Sequence, residues 1–211
     1  IFELMCRSIF NGGFNSSILS ESWSELRGEF NEFDVIEVNN FKNLTMQQLF
    51  ERFQSFKNYG KIIACIQNAK VFMEIQKKHG DFSRYLENFN EFEGIVKDLK
   101  SNFNYLGSAT VYEFLREIGY DSAKPDVHLR RIMYRLGLLE NDKDNHTNRS
   151  KIHETSKKIA LAVGTKVSVV DAVFWLYGSG STEYVQYGIC TNNKPKCNEC
   201  ELKTMCKYTP P

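Results

Sequence analysis

Four of the chain's six cysteines lie in one stretch near its end, CTNNKPKCNECELKTMC, and their spacing constrains the fold more than any other feature. Cys190, Cys197, Cys200 and Cys206 are separated by six, two and five residues. Such a group bridges in pairs, holds zinc, or holds an iron–sulfur cluster. Structural zinc sites usually use two tight knuckles with a longer segment between them, whereas only Cys197 and Cys200 form a tight pair here. A four-iron cluster is larger, takes a thiolate on each iron, and can be wrapped by one segment with uneven gaps. The spacing therefore favours a 4Fe-4S cluster, ahead of zinc and of disulfides. The remaining Cys6 and Cys65 sit in apolar helical patterns and read as buried structural thiols, which fits disulfides poorly.

Upstream of this tail the apolar residues recur with helical period and without convincing strand alternation. Ile62, Ile66, Ala69 and Met73 share one helical face, as do Val111, Phe114, Leu115 and Ile118, then Leu129, Ile132, Met133 and Leu136, then Val170, Val173, Phe174 and Tyr177. Gly80, Gly119 and Gly137 follow such stretches, where a left-handed residue would end a helix. The expected class is all-α, with core on each of these faces. Two helices are predicted around the middle of the chain, one from about Ser108 to Ile118 and one from near Asp126 to Leu136. The polar run NDKDNHTNRS, residues 141–150, is expected to be a long exposed loop.

At 211 residues, 42% hydrophobic and 25% charged, the chain can bury one large core or two small ones. No apolar run approaches the roughly 20 residues of a membrane span, so no membrane partner is expected. The chain opens at Ile1 and enters an apolar helical pattern at once, so part of the N-terminus is expected to be missing. The net charge of +1 does not mark a nucleic-acid binder by itself. Local clusters matter more: Lys124, Arg130, Arg131 and Arg135 gather in one segment, and Lys194, Lys196, Lys203 and Lys207 decorate the cysteine tail.

The cysteine spacing, with Lys194-Pro195-Lys196 just before Cys197, resembles the cluster loop of the endonuclease III family of helix-hairpin-helix DNA glycosylases. Asp126-Val127-His128, with Arg131 five residues beyond the aspartate, is similar to that family's catalytic segment. The resemblance covers residues 100 to 206 and extends to GKIIACIQNAKVFMEIQKKHG at residues 60 to 80. It implies two helical domains, a barrel over 1–119 ending in the helix-hairpin-helix and a cluster domain over 120–211 completed by the missing N-terminal segment. It also implies a monomeric enzyme that acts on damaged or mismatched bases in double-stranded DNA, in a prokaryotic cytoplasm or a nucleus, and is not secreted.

By residue, the resemblance makes Asp126 the catalytic carboxylate, which stabilises the charged sugar as the base departs and orients the attacking water. Unaided, Asp126 reads as a helix N-cap, and one carboxylate can serve both ends. Cys190, Cys197, Cys200 and Cys206 become the cluster ligands, and Lys194 and Lys196 become contacts to the DNA backbone. Gly107 and Ser108 occupy the hairpin, whose backbone N–H groups would grip phosphate, and Arg131 is a further backbone contact. The family commonly has two glycines separated by one residue in this turn, whereas here Gly107 stands alone. The turn YLGS is also similar to that of the 3-methyladenine glycosylase I family, which has no cluster. Phe10, Asn11, Phe14 and Asn15 in FNGGFNSS are the candidates for a base pocket or wedge.

Bifunctional members of the family carry a lysine where this chain has Ser108, and no lysine occurs between Lys100 and Lys124. The expectation is a monofunctional glycosylase. Three rival readings remain: a catalytically silent DNA-binding relative, a lyase using Lys124, and an electron-transfer protein built on the cluster.

Overall fold

The structure, a computed structural model, describes residues 1–13, 16–107, 109–179 and 188–208, without the side chains of 16 and 17. Among these residues there are eleven α-helices, four short 3-10 turns and no strand. The chain divides into two compact units, Ile1–Phe114 and Leu115–Pro211.

The first unit holds α1 (Phe2–Asn11), α2 (Ser16–Glu29), α3 (Val35–Asn40), α4 (Met46–Arg52), α5 (Tyr59–His79), α6 (Phe82–Glu87), α7 (Phe92–Asn102) and most of α8 (Thr110–Glu117). Sequence punctuation starts these helices. Asp34, Asn58 and Asp81 cap α3, α5 and α6 through their side chains, and Thr45 with Gln48 forms a reciprocal capping box on α4. In α5 the buried residues Lys61, Ile62, Ala64, Cys65, Ile66, Asn68, Ala69 and Phe72 cover more than half of the helix circumference. A helix buried that widely belongs inside its unit. Phenylalanines fill the space around it: Phe72 stacks on Phe82 at 4.5 Å, and Phe30 meets Phe53 at 4.6 Å and Phe33 at 4.8 Å.

The second unit is built on α9 (Val127–Arg135), α10 (His146–Val163) and α11 (Val167–Gly178). Its core comprises Ala123, Leu129, Met133, Leu139, Ile152, Ala160, Val167 and Val170, with Phe174 and Trp175 packed against it. Gly80, Gly119 and Gly137 all have positive φ, as their positions after apolar stretches required. No single helix among the described residues is long and apolar enough to cross a membrane.

Two regions differ from what the sequence predicts. The run 141–150 is not one loop, because Asn145 caps Asn148 N at 2.8 Å and α10 begins at His146. The buried Asn148 amide then donates to the carbonyls of Asn141 and Lys143, which folds residues 141–145 onto the helix. The apolar face predicted for α11 is also rotated. Val173 is 52% exposed, whereas Asp171 is only 3% exposed. The helix turns its one carboxylate inward because two donors wait for it there.

Candidate active site and cysteine-lined cavity

Asp126 sits where α9 begins. Its Oδ1 accepts from His128 N at 2.8 Å and Leu129 N at 3.0 Å, so it caps the helix, and no described residue engages Oδ2. Its own N–H donates to Lys124 O at 2.8 Å. The half-buried carboxylate is thus fixed through one oxygen, with the other presented.

Two carboxylates that the apolar periodicity passed over shape the segment leading to Asp126. Asp121 accepts from Val167 N at 3.0 Å and Ser168 N at 2.9 Å, and these N–H bonds, with Lys166 nearby, hold its pKa below the usual carboxylate value although burial opposes them. Asp171, in α11, accepts from Arg116 Nη1 at 2.6 Å and from Lys124 N at 2.8 Å. Burial pushes the Asp171 carboxyl up to about 6, against the downward pull of Arg116. The signal that could have found Asp171 is its isolation: it is the only charged residue in VSVVDAVFWLYG, and a lone charge in an apolar helix needs a partner.

Arg131 was expected to meet DNA, but it is buried at 9% exposure. Its Nε donates to Cys190 O at 3.0 Å and its Nη2 to Gly178 O at 2.5 Å. Burial lowers its pKa, the nearby Cys190 opposing. Arg131 therefore ties α9 to the end of α11 and to the first cysteine. His128 Nδ1 lies 2.9 Å from the same Gly178 carbonyl. Arg135, 7% exposed, reaches Cys190 Sγ at 3.3 Å, Thr191 O at 2.8 Å and Asn192 O at 3.2 Å, and stacks over Tyr208 at 4.1 Å.

The four cysteines of the tail are half-buried, free of disulfides, and line one cavity of about 380 Å³ together with Arg135 and Tyr208. Cys206 Sγ lies 3.3 Å from Arg135 O. Among the described residues no three His, Cys, Asp or Glu side chains converge closely enough to hold one metal ion. Lys194 is exposed, with φ 55°, while Lys196 donates its N–H to Ile189 O at 2.9 Å and holds its Nζ 3.8 Å from Glu199. Cys6 and Cys65 are fully buried, as expected of structural thiols, and burial together with the contact to Cys65 raises the Cys6 pKa well above its ordinary value.

In the first unit the hairpin turn follows α7. Asn68, fully buried in α5, donates to Asn104 O at 2.9 Å and accepts from Asn104 N at 2.8 Å, which clamps the turn. Tyr105 takes φ 60° in this turn. Gly107 has no neighbour within 4 Å of where a Cβ would stand and no positive φ, so the fold itself does not require glycine there. Ser108, Phe14 and Asn15 lie outside the described residues. Phe10 is not the expected wedge: it is 0% exposed and packs against Phe56 at 5.3 Å and Phe30 at 6.0 Å, so it is core. Asn11, partly exposed, donates to Glu113 Oε1 at 3.1 Å. Nothing in the sequence flagged Lys61, which is buried and donates to Phe10 O at 2.8 Å and Gly12 O at 2.6 Å, closing the end of α1.

Residues 1–102 match the family model for methyladenine glycosylase, whereas the endonuclease III resemblance rests on residues 100 to 206. The match covers α1 to α7 and ends just before the hairpin turn, so Asp126 and the cysteine quartet lie beyond it. By this match the chain is a DNA N-glycosylase of base excision repair, a hydrolase acting on the N-glycosyl bonds of damaged DNA. No solved structure matches the chain.

Proposed function

We propose that the protein removes an alkylated base, of the 3-methyladenine kind, from double-stranded DNA by simple hydrolysis, with Asp126 as its catalytic carboxylate. The observation that carries this reading is the state of Asp126, held through Oδ1 by two backbone N–H groups with Oδ2 left to face a substrate. As the bond from C1′ to the base nitrogen breaks, its electron pair leaves with the base and the sugar becomes oxocarbenium-like. A fixed carboxylate stabilises that cation, as in glycoside hydrolysis. Water then adds to C1′ and gives its proton to the carboxylate or to solvent, leaving an abasic site. An alkylated adenine departs readily because it is already cationic, so one well-placed carboxylate suffices. With no lysine between Lys100 and Lys124, water is the nucleophile and no Schiff base forms.

Cys190, Cys197, Cys200 and Cys206 would hold a 4Fe-4S cluster. Four free thiols around one cavity of about 380 Å³ suit a group with a thiolate on each iron better than one zinc ion, whose ligand sulfurs lie about 2.3 Å from a common point. When bound, the cluster supplies a covalent anchor for the tail. Arg131 and Arg135 orient that tail through its carbonyls, and Lys194 stands exposed for a phosphate. At the hairpin, a glycine at 107 that the fold does not require leaves room for DNA backbone to approach the turn. The cytoplasm or nucleus, where DNA is found, is the proposed site of action.

The test is incubation of the purified protein with DNA treated with a methylating agent and with duplexes bearing oxidised, deaminated or mismatched bases. Released bases are separated by chromatography, and strands are examined with and without alkali. Release of methyladenine with alkali-dependent nicking is expected. Nicking without alkali, or a covalent adduct trapped by borohydride, would overturn the monofunctional mechanism. Iron and acid-labile sulfide at about four of each per chain would support the cluster, and stoichiometric zinc would remove it.

A further inference from the structure

We infer that Asp171 is a positioning residue for Asp126: its carboxylate, clamped between Arg116 and the backbone of Lys124, sets the height at which Asp126 enters α9. The inference rests on the reading of Asp126 given above. The path is short and continuous. Asp171 Oδ2 meets Arg116 Nη1 at 2.6 Å, and Oδ1 meets Lys124 N at 2.8 Å. The same residue's carbonyl, Lys124 O, accepts the N–H of Asp126 at 2.8 Å. Between them Pro125 fixes its own φ, so the two residues before Asp126 have little freedom left. Ser122 and Ala123, just upstream, are fully buried and anchor the start of the segment. Displacing Lys124 N–H would therefore move Asp126 directly, and a small misplacement of a reacting group costs large factors in rate.

Fold stability alone does not account for a carboxylate at this place. Asp171 is 3% exposed in an otherwise apolar helix, and taking a charge out of water is costly even when it is paired. Its raised pKa records that cost. The charged groups facing it are Arg116 from α8 and Lys124 and Asp126 from the segment before α9, and Asp126 adds to the upward shift. Since the folded-state pKa lies above the unfolded one, the folded state gains from holding the proton. That contribution is complete below pH about 4 and is lost as pH rises through about 6. The ionised form that pairs with Arg116 is thus present at neutral pH at the expense of stability.

The experiment measures single-turnover release of methyladenine from methylated DNA between pH 5 and 9. Wild-type protein is compared with Asp171→Asn, Asp171→Ala, Arg116→Met and Asp126→Asn, with melting temperature and DNA affinity recorded alongside. Asp171→Asn is expected to melt at or above the wild-type temperature at pH 8 and to bind DNA normally. Its release rate should fall by about 10-fold to 100-fold, and the acid limb near pH 6 should vanish. Arg116→Met should move that limb to higher pH. Wild-type rates and an unchanged limb in Asp171→Asn would overturn the inference, as would a rate that falls only in step with lost folding. If neither Asp171 variant folds, an acid limb unmoved in Arg116→Met overturns it. Loss of release in Asp126→Asn together with wild-type behaviour at Asp171 sinks this inference alone. Release that survives in Asp126→Asn, or is absent from the wild type, sinks the reading of Asp126 and this inference with it.

Discussion

Asp126 performs two tasks that substitution can separate. As a cap it needs only an acceptor for His128 N and Leu129 N, and asparagine caps helices as well as aspartate does. As a stabiliser of positive charge it needs the carboxylate. Asp126→Asn is therefore expected to leave the unfolding midpoint within about 0.5 kcal/mol of wild type while base release falls by at least about 100-fold. Asp126→Ala should lose the cap as well, at a further cost of about 1 kcal/mol. Denaturant melts and chromatographic base release, run on the same preparations, check both numbers. At Lys61 the balance is reversed, since its ammonium closes the carbonyls of Phe10 and Gly12 and takes no part in the proposed chemistry. Lys61→Met keeps the bulk of the stem but leaves those acceptors without their donor, so a loss of about 2–4 kcal/mol is expected in a denaturant melt. Burial lowers the Lys61 pKa, with Cys65 and Glu113 opposing.

Whole elements were more legible than single side chains. The faces of α5, α8 and α9 followed from apolar spacing because burial of a helix depends on many residues at once, and the three glycines marked helix ends because few other residues tolerate positive φ. What periodicity could not show is which partner a side chain finds across the fold. Arg131 looked like a surface base until Gly178 O and Cys190 O met it, and Asp171 was lost among valines until Arg116 did. Phe10 reads as a wedge from sequence, but the aromatic cluster of its own unit claims it. The hairpin turn shows the same limit. Its missing glycine suggested an altered shape, yet Tyr105 takes the left-handed conformation itself, held from below by the Asn68 clamp on Asn104. A tyrosine held there bears a backbone cost of about 1–2 kcal/mol. At 55% exposure its ring offsets little of that by burial. Tyr105→Gly is thus expected to raise stability by about 1 kcal/mol, whereas a β-branched Tyr105→Val should lower it. A thermal melt in which both variants fall below wild type would show that the ring, which reaches over Gly60, matters more than its backbone.

For the molecule as a whole, attraction to DNA has to be local. With 27 basic and 26 acidic residues the net charge is +1, so no long-range field of the whole chain draws it to phosphate. Arg131 and Arg135 cannot supply the attraction, because both are buried in the second unit and bonded to carbonyls. The exposed lysine of the cysteine loop is one proposed source of it, beside the hairpin turn. The loop is pinned at Thr191 O and Asn192 O by Arg135 and at Lys196 N by Ile189 O, which holds Lys194 at an exposed, left-handed position. A lysine on a loop already ordered loses less entropy when it meets a phosphate. Each such contact releases counterions, so log K should change with log salt by about 0.9 for every phosphate neutralised. Lys194→Ala is accordingly expected to weaken binding to all duplexes alike and to reduce the salt slope by about 0.9, measured by fluorescence anisotropy from 50 to 300 mM salt. Lys196→Ala should do less, since its ammonium lies 3.8 Å from Glu199 and must give up that pair to reach DNA. Glu199→Gln should then strengthen binding, by releasing Lys196 and removing a negative charge from the same loop. A slope unchanged in Lys194→Ala would show that this lysine faces only water and that the grip on DNA lies at the hairpin instead.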